Sequence, residues 1–141
     1  MHKIGKNKIG LAVDGIEELM ERLEQAGGKA EQAAEKCLKE SAKIIAPKLH
    51  QDMKKHHRSG KTEAAIIDNP DVEWEGTTAS IKIGFDIDNG GLASVFLMYG
   101  TPRMPKDPKL YRDIYGSAVK KEIKKKQEEI MQQEIAEAMR G

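Results

Sequence analysis

"VEWEGTTASIKIGF", residues Val72 to Phe85, is where the hydrophobic rhythm of the chain changes and the fold class is decided. Val72 and Trp74 fall on one face, Gly76 supplies a turn, and Ala79, Ile81, Ile83 and Phe85 then alternate with polar residues. A period of two sets one face of a strand against a core and the other in water, so the stretch reads as a β-hairpin with one buried face. Two strands alone are marginal in water. The hairpin must therefore pack on helices, or pair with the short apolar run Ile9 to Val13 or with another chain.

Before the hairpin the rhythm is helical. Asp14 stands where an N-cap would, Glu17 is its capping-box partner, and Ile16, Leu19, Met20 and Leu23 follow at helical spacing. Gly27 and Gly28 should stop this first helix. Ala30, Ala33, Ala34, Cys37, Leu38, Ala42, Ile45 and Leu49 then trace one stripe of a longer second helix, which Pro47 is expected to kink or end. Beyond it, "HQDMKKHHRSG" reads either as a frayed continuation or as a basic loop. After the hairpin come the turn "DIDNGG", the apolar segment "LASVFLMYGT" and the proline-punctuated loop "PRMPKDP". A long last helix is expected from near Lys109 almost to the end, with Ile114, Val119, Ile123, Ile130, Ile135 and Met139 inward on a stripe broken by Gly116 and Gln127. Strand, helix, helix, hairpin, helix is the order of a single α+β domain spanning residues 1–141.

Composition bounds the function. With 141 residues the chain suits one modest core, and 24 Lys plus Arg against 23 Asp plus Glu leave no global pull toward nucleic acid or membrane. Cys37 is the only cysteine, which excludes an internal disulfide; its place on the apolar stripe makes it a buried, inert thiol. A reduced, intracellular site of synthesis is the default. The basic N-terminus lacks the apolar core of a signal peptide, and no stretch approaches a membrane span.

Four constellations invite chemistry. Gly60, Lys61 and Thr62 end like a P-loop, but the first glycine of that motif falls on Lys55 and no strand precedes it, so nucleotide hydrolysis is not expected. His50, Asp52, His56 and His57 lack metal-site spacing and read as a solvated basic segment. Asp86, Asp88, Asn89 and Gly90 resemble the start of a calcium loop, yet its twelfth position is Leu97 rather than Glu, which leaves a turn. Lys120, Lys121, Lys124, Lys125 and Lys126 precede Glu128 and Glu129, an order opposite to the one that suits the helix dipole. That block is either a solvated face or a basic end for an acidic partner or a phosphate backbone. No nucleophile sits in a strand–turn context, so no catalytic residues, cofactor or metal are assigned.

One segment carries a resemblance. In "FLMYGTPRMPKDP", Phe96 to Pro108, an apolar run and an aromatic lead through Gly-Thr, a Met and prolines into the terminal helix. This resembles the small neck proteins of tailed bacteriophages, the head–tail joining or tail-completion family. Phe96, Leu97, Tyr99, Gly100, Thr101, Met104 and Pro108 match the family's pattern, whereas Met98, Thr62 and Lys109 depart from it. Ser59, Gly60, Ala65 and Ile66 are similar to the family's turn into its hairpin, which gives "SGKT" a use other than cradling phosphate. "GLAVDGIEELMERLEQAG" is similar to its first strand and helix.

The resemblance implies a structural virion-assembly protein of a phage or prophage, without enzymatic activity. It would be made in the host cytoplasm and then sit in the virion neck or tail, as part of a homo-oligomeric ring that completes the tail or joins it to the head connector. Its partners would be other head-connector and tail proteins, with no membrane and at most non-specific contact with nucleic acid. Phe96, Tyr99 and Met104 are the expected apolar anchors, Phe96 standing equally well for a core residue. Gly100 and Thr101 shape the same segment, and Arg58, Lys61 and Arg103 are weaker candidates for a polar rim. The alternative is a nucleic-acid-associated binding module using basic segments 54–61 and 120–126.

Overall fold

The computed structural model describes residues 8–10, 16–56, 60–76, 78–86, 90–91, 93–102 and 105–140, with the backbone alone for residues 8–10, 16, 17, 93 and 96. Its elements are β1 (Lys8–Gly10), α1 (Ile16–Gln25), α2 (Ala30–Asp52), a 3-10 turn (Met53–His56), α3 (Lys61–Ala64), β2 (Glu73–Glu75), β3 (Thr78–Lys82), α4 (Ala93–Tyr99), α5 (Pro108–Tyr115) and α6 (Ser117–Arg140). The architecture is α+β, as the alternation of periods implies.

The α2 helix is the axis of the molecule. Its stripe from Ala30 to Leu49 is buried throughout, and α6, α5, α1 and β3 all pack against it. Lys48 meets Glu122 and Lys36 meets Glu134, so α6 runs antiparallel to α2 along most of its length. β3 also packs on α2 and lies between β1 and β2 in an antiparallel sheet, with Ile9 opposite Ile81 and Trp74 opposite Ala79. The hairpin thus takes both of the supports open to it within the chain: the N-terminal strand at one edge and α2 beneath. Residues 11–15, including the rest of the expected strand and the Asp14 cap, lie outside the described residues.

Two cores result. One joins Leu38, Ile45, Leu49 and Met53 to Ile81, Phe85, Leu110 and Ile123; the other joins Leu19 and Leu23 to Cys37, Met131 and Ile135. Cys37 is fully buried, and burial pushes its thiol up to about 12. Gly27, at φ 87°, supplies the left-handed turn that ends α1.

Four expectations are corrected. Pro47 does not end the second helix, which continues to Asp52; Pro47 lies on the exposed side, where its missing N–H interrupts no buried packing. The last helix is two helices, because Gly116 leaves helical geometry at ψ 156° and ends α5, at a spot where a Cβ would stand 2.5 Å from the Arg112 carbonyl oxygen and only glycine fits. Gln127 does not break the α6 stripe but belongs to it, fully buried, its Nε2 donating to Ser41 Oγ at 3.2 Å while Ser41 Oγ donates to the Cys37 carbonyl at 2.7 Å. Met139, expected inside, is 75% exposed.

Gly116→Ala is expected to lower stability by about 1–3 kcal/mol, the usual cost of forcing an extra carbon into a filled site. Urea unfolding checks this through a lower midpoint at unchanged slope; an unchanged midpoint would mean that the backbone there has room.

Candidate partner interface

The segment from α4 to α5 is built around Asp107. Its carboxylate accepts from the backbone N–H groups of Lys109 (3.1 Å) and Leu110 (3.2 Å), and Pro108 occupies the first helical position, so Asp107 caps α5. The Asp107 N–H donates to the Leu97 carbonyl at 2.7 Å, which fastens the start of α5 to α4. Gly100, at φ 78°, lets the chain leave α4 in a left-handed turn that a side chain would resist.

Leu110 and Ile114 turn into the core, whereas Tyr111 and Tyr115, four apart, share another flank of α5. Tyr99 joins them from the end of α4. Its ring meets Tyr111 edge-on at 5.8 Å and 71°, and Tyr111 meets Tyr115 at 5.0 Å and 41°, favourable aromatic geometries. Tyr115 is half-buried, but Tyr99 is 55% and Tyr111 40% exposed. All three tyrosines of the chain therefore form one cluster, rooted in the core and open to solvent at its outer end.

Charged latches hold α5 against the end of α2. Lys109 Nζ is 2.7 Å from Asp52 Oδ1 and 2.9 Å from Asp113 Oδ2. These hydrogen bonds raise the Lys109 pKa further. Burial, then a hydrogen bond to Asp113, pushes Asp52 up to about 6. As a carboxylate, Asp52 would bury Oδ2 with no donor facing it; a proton on Asp52 supplies that donor and makes a carboxyl–carboxylate pair. Asp113 is lowered: its burial is outweighed by the hydrogen bonds from Asp52 and Lys109.

A second latch holds Asp107, whose Oδ2 is 2.7 Å from His56 Nε2 and 3.3 Å from Lys55 Nζ. Burial opposes the charge on Asp107, but His56, the Leu110 N–H and Lys55 outweigh it and bring the carboxyl down to about 2. On another side of α2, His50 lies between Glu63 (3.1 Å) and Asp68 (2.8 Å); these partners outweigh its desolvation and raise its pKa. The stretch read as a frayed end or basic loop is, over residues 50–56, ordered helix and 3-10 turn: it completes α2, buries Asp52 and Met53, and fastens three other segments, while residues 57–59 lie outside the described residues. His50 and His56 pair with carboxylates 13 to 51 positions away in the chain.

The candidates fall as follows. Tyr99 is exposed at the end of α4, Gly100 makes the turn, and Thr101 is half-buried behind it. Lys61 is exposed at the start of α3, after Gly60 at φ 77°, on the other side of the 3-10 turn. Arg58, Arg103 and Met104 lie outside the described residues, as does the Phe96 side chain. Tyr111 and Tyr115 were not among the expected residues; their spacing of four within one helix was the available signal. Among the described residues, no group of three or more His, Cys, Asp or Glu side chains is placed to hold a metal ion. An open groove between α2 and residues 68–71 is lined by Glu35, Lys39, Glu40, Lys43 and Asp71, a charged surface unlike the apolar enclosure usual for a small molecule. No family model, curated protein or solved structure matches the chain.

The latches set a pH dependence. A folded pKa above the unfolded one means that the native state binds more protons, so stability falls as pH rises; this holds for Asp52 between 3.8 and about 6, and for His50 above its ordinary 6.5. Asp107 has the opposite sign, and its contribution is lost as pH falls from 3.8 toward about 2. Stability should therefore peak at mildly acidic pH. Asp52→Asn, which keeps the shape and supplies an N–H to Asp113, is expected to gain on the order of 1 kcal/mol over the parent at about pH 8 and nothing at about pH 4. Urea midpoints across pH test this, and parallel curves for the two chains would contradict it.

Proposed function

We propose that this chain is a structural virion-assembly protein of a tailed phage or prophage, completing the tail or joining it to the head connector as one member of a ring. The observation that carries the reading is the tyrosine cluster. It stands at the very segment that resembles the neck proteins, and it exposes aromatic surface that a solitary chain would gain by burying. Heterologous contacts between copies close into rings when the rotation per copy divides a full turn, and a small rigid domain with an exposed aromatic patch suits such an assembly.

The nucleic-acid reading draws on the exposed Lys120, Lys121, Lys124 and Lys125 of α6. It draws less on the 54–61 segment, where Lys55 and His56 are engaged with Asp107. The lysines of α6 are also interleaved with Glu122 and followed by Glu128 and Glu129, which weakens any field they project. Steep salt dependence of binding to plain duplex DNA is the mark that would favour this alternative.

Electron microscopy of lysates from a producing strain lacking this reading frame tests the proposal. Full heads beside separate tails of normal length are expected for a joining or completion role, and overlong tails for a terminator. Ordinary infectious particles would overturn the reading. Tyr99→Asp is expected to fold with a stability loss of about 0.5–1.5 kcal/mol, the worth of its edge-on contact with Tyr111, and yet to be missing from purified particles. Incorporation of that variant at the parent level would remove Tyr99 from the interface.

A further inference from the structure

The end of the molecule that carries the exposed tyrosines also carries cations. Lys54, Lys106 and Arg112 are exposed around the start of α5 in addition to the latch cations Lys55 and Lys109, whereas the carboxylates that the latches engage, Asp52, Asp107 and Asp113, are wholly or largely withdrawn from solvent. What this end of the molecule offers a partner is aromatic surface with a positive rim.

The opposite arrangement occurs elsewhere on the same chain. From Asp71 to Glu75 exposed acids alternate with half-buried apolar residues: Asp71, Glu73 and Glu75 outward, Val72 and Trp74 partly covered, the Trp74 indole N–H donating to Glu35 at 2.7 Å. This run leads through β2, which forms one edge of the sheet and pairs, among the described residues, with β3 alone. Edge strands are places where another chain can be received, and this one is short and acidic.

The two surfaces lie on different sides of α2. His50 reaches the segment that leads into β2 and Asp52 reaches α5, and residues two apart on a helix project about 200° apart. Complementary surfaces on different sides of one molecule cannot meet within a single copy, but they can meet between copies, head to tail. We infer that the basic, tyrosine-bearing face of α5 receives the acidic β2 edge of a second copy of this chain, Lys106 and Arg112 meeting the outward Glu73 and Glu75 while Tyr99 and Tyr111 pack on the strand beside them. This rests on the ring reading above and names the contact that builds the ring. Opposite charge supplies register and encounter rate, and the aromatic rings supply the apolar centre.

Charge reversal tests the contact. Lys106→Glu with Arg112→Glu makes the α5 face acidic, and Glu73→Lys with Glu75→Lys makes the β2 edge basic; none of the four residues belongs to the latches on Asp52 or Asp107. Sedimentation of the purified full chains in low salt is expected to show the parent self-associating, and each double variant, folded by circular dichroism, associating at least about tenfold more weakly. An equimolar mixture of the two variants is expected to recover association, because reversed faces match across alternating copies; misfolding has no such rescue. Variants that associate like the parent, a mixture that fails to recover, or a parent that stays monomeric would each overturn the contact. The virion reading is decided separately by the micrographs of the deletion lysate.

Discussion

One continuous buried stripe on α2, from Leu38 through Ala42, Ile45 and Leu49 to Met53 on the following turn, is the constraint on which the remaining elements depend. The sheet, α5 and α6 all pack against it. Burying a side chain such as Leu or Ile contributes about 1.5–3 kcal/mol, so a stripe of this length outweighs any single surface ion pair in the molecule. It also explains why Pro47 is tolerated: the helix is held from the packed side, and the proline is placed on the other.

The end of that helix does a second job through charge. A buried carboxylate is costly unless paired, and Asp52 and Asp107 are paired with groups on or beside α5, so they position α5 more specifically than apolar contact alone would. The helix so positioned sends Leu110 and Ile114 into the core and Tyr111 outward to meet Tyr99. The physical chain therefore runs from a buried stripe, to a latch, to the orientation of an exposed aromatic cluster, and the proposed assembly role depends on its last link. A patch carried on a rigid, latched helix loses little freedom on binding, which favours association.

Much of this is legible in the residues themselves. The stripes of α1 and α2, the glycine stop after α1, and the switch to a two-residue period at Val72 are local patterns, and the structure follows them. What local pattern does not carry is the outcome of long-range competition. Gly116 reads as an interruption of one long stripe, whereas in the structure its backbone turns extended, at ψ 156°, and ends α5 outright. Gln127 looks like an interruption until Ser41, 86 residues away, meets its amide. His50, Asp52 and His56 read as a solvated basic segment because their partners stand 13 to 57 positions off. Of the candidate interface, Tyr99 and Gly100 were legible through a motif, whereas Tyr111 and Tyr115 pass for ordinary surface residues of a helix until Tyr99 lies beside them.

The central claim is that the exposed tyrosine cluster is where this chain meets other proteins of an assembling particle. Site-specific photo-crosslinking tests it most directly, with a benzoylphenylalanine at position 111 during particle production and mass spectrometry of the crosslinked species. The account expects adducts to a second copy of this chain or to other virion proteins, and none from the same probe at Gln132, exposed on α6 away from the cluster. Uncrosslinked chain at position 111 within complete particles, or equal crosslinking from both positions, would contradict it.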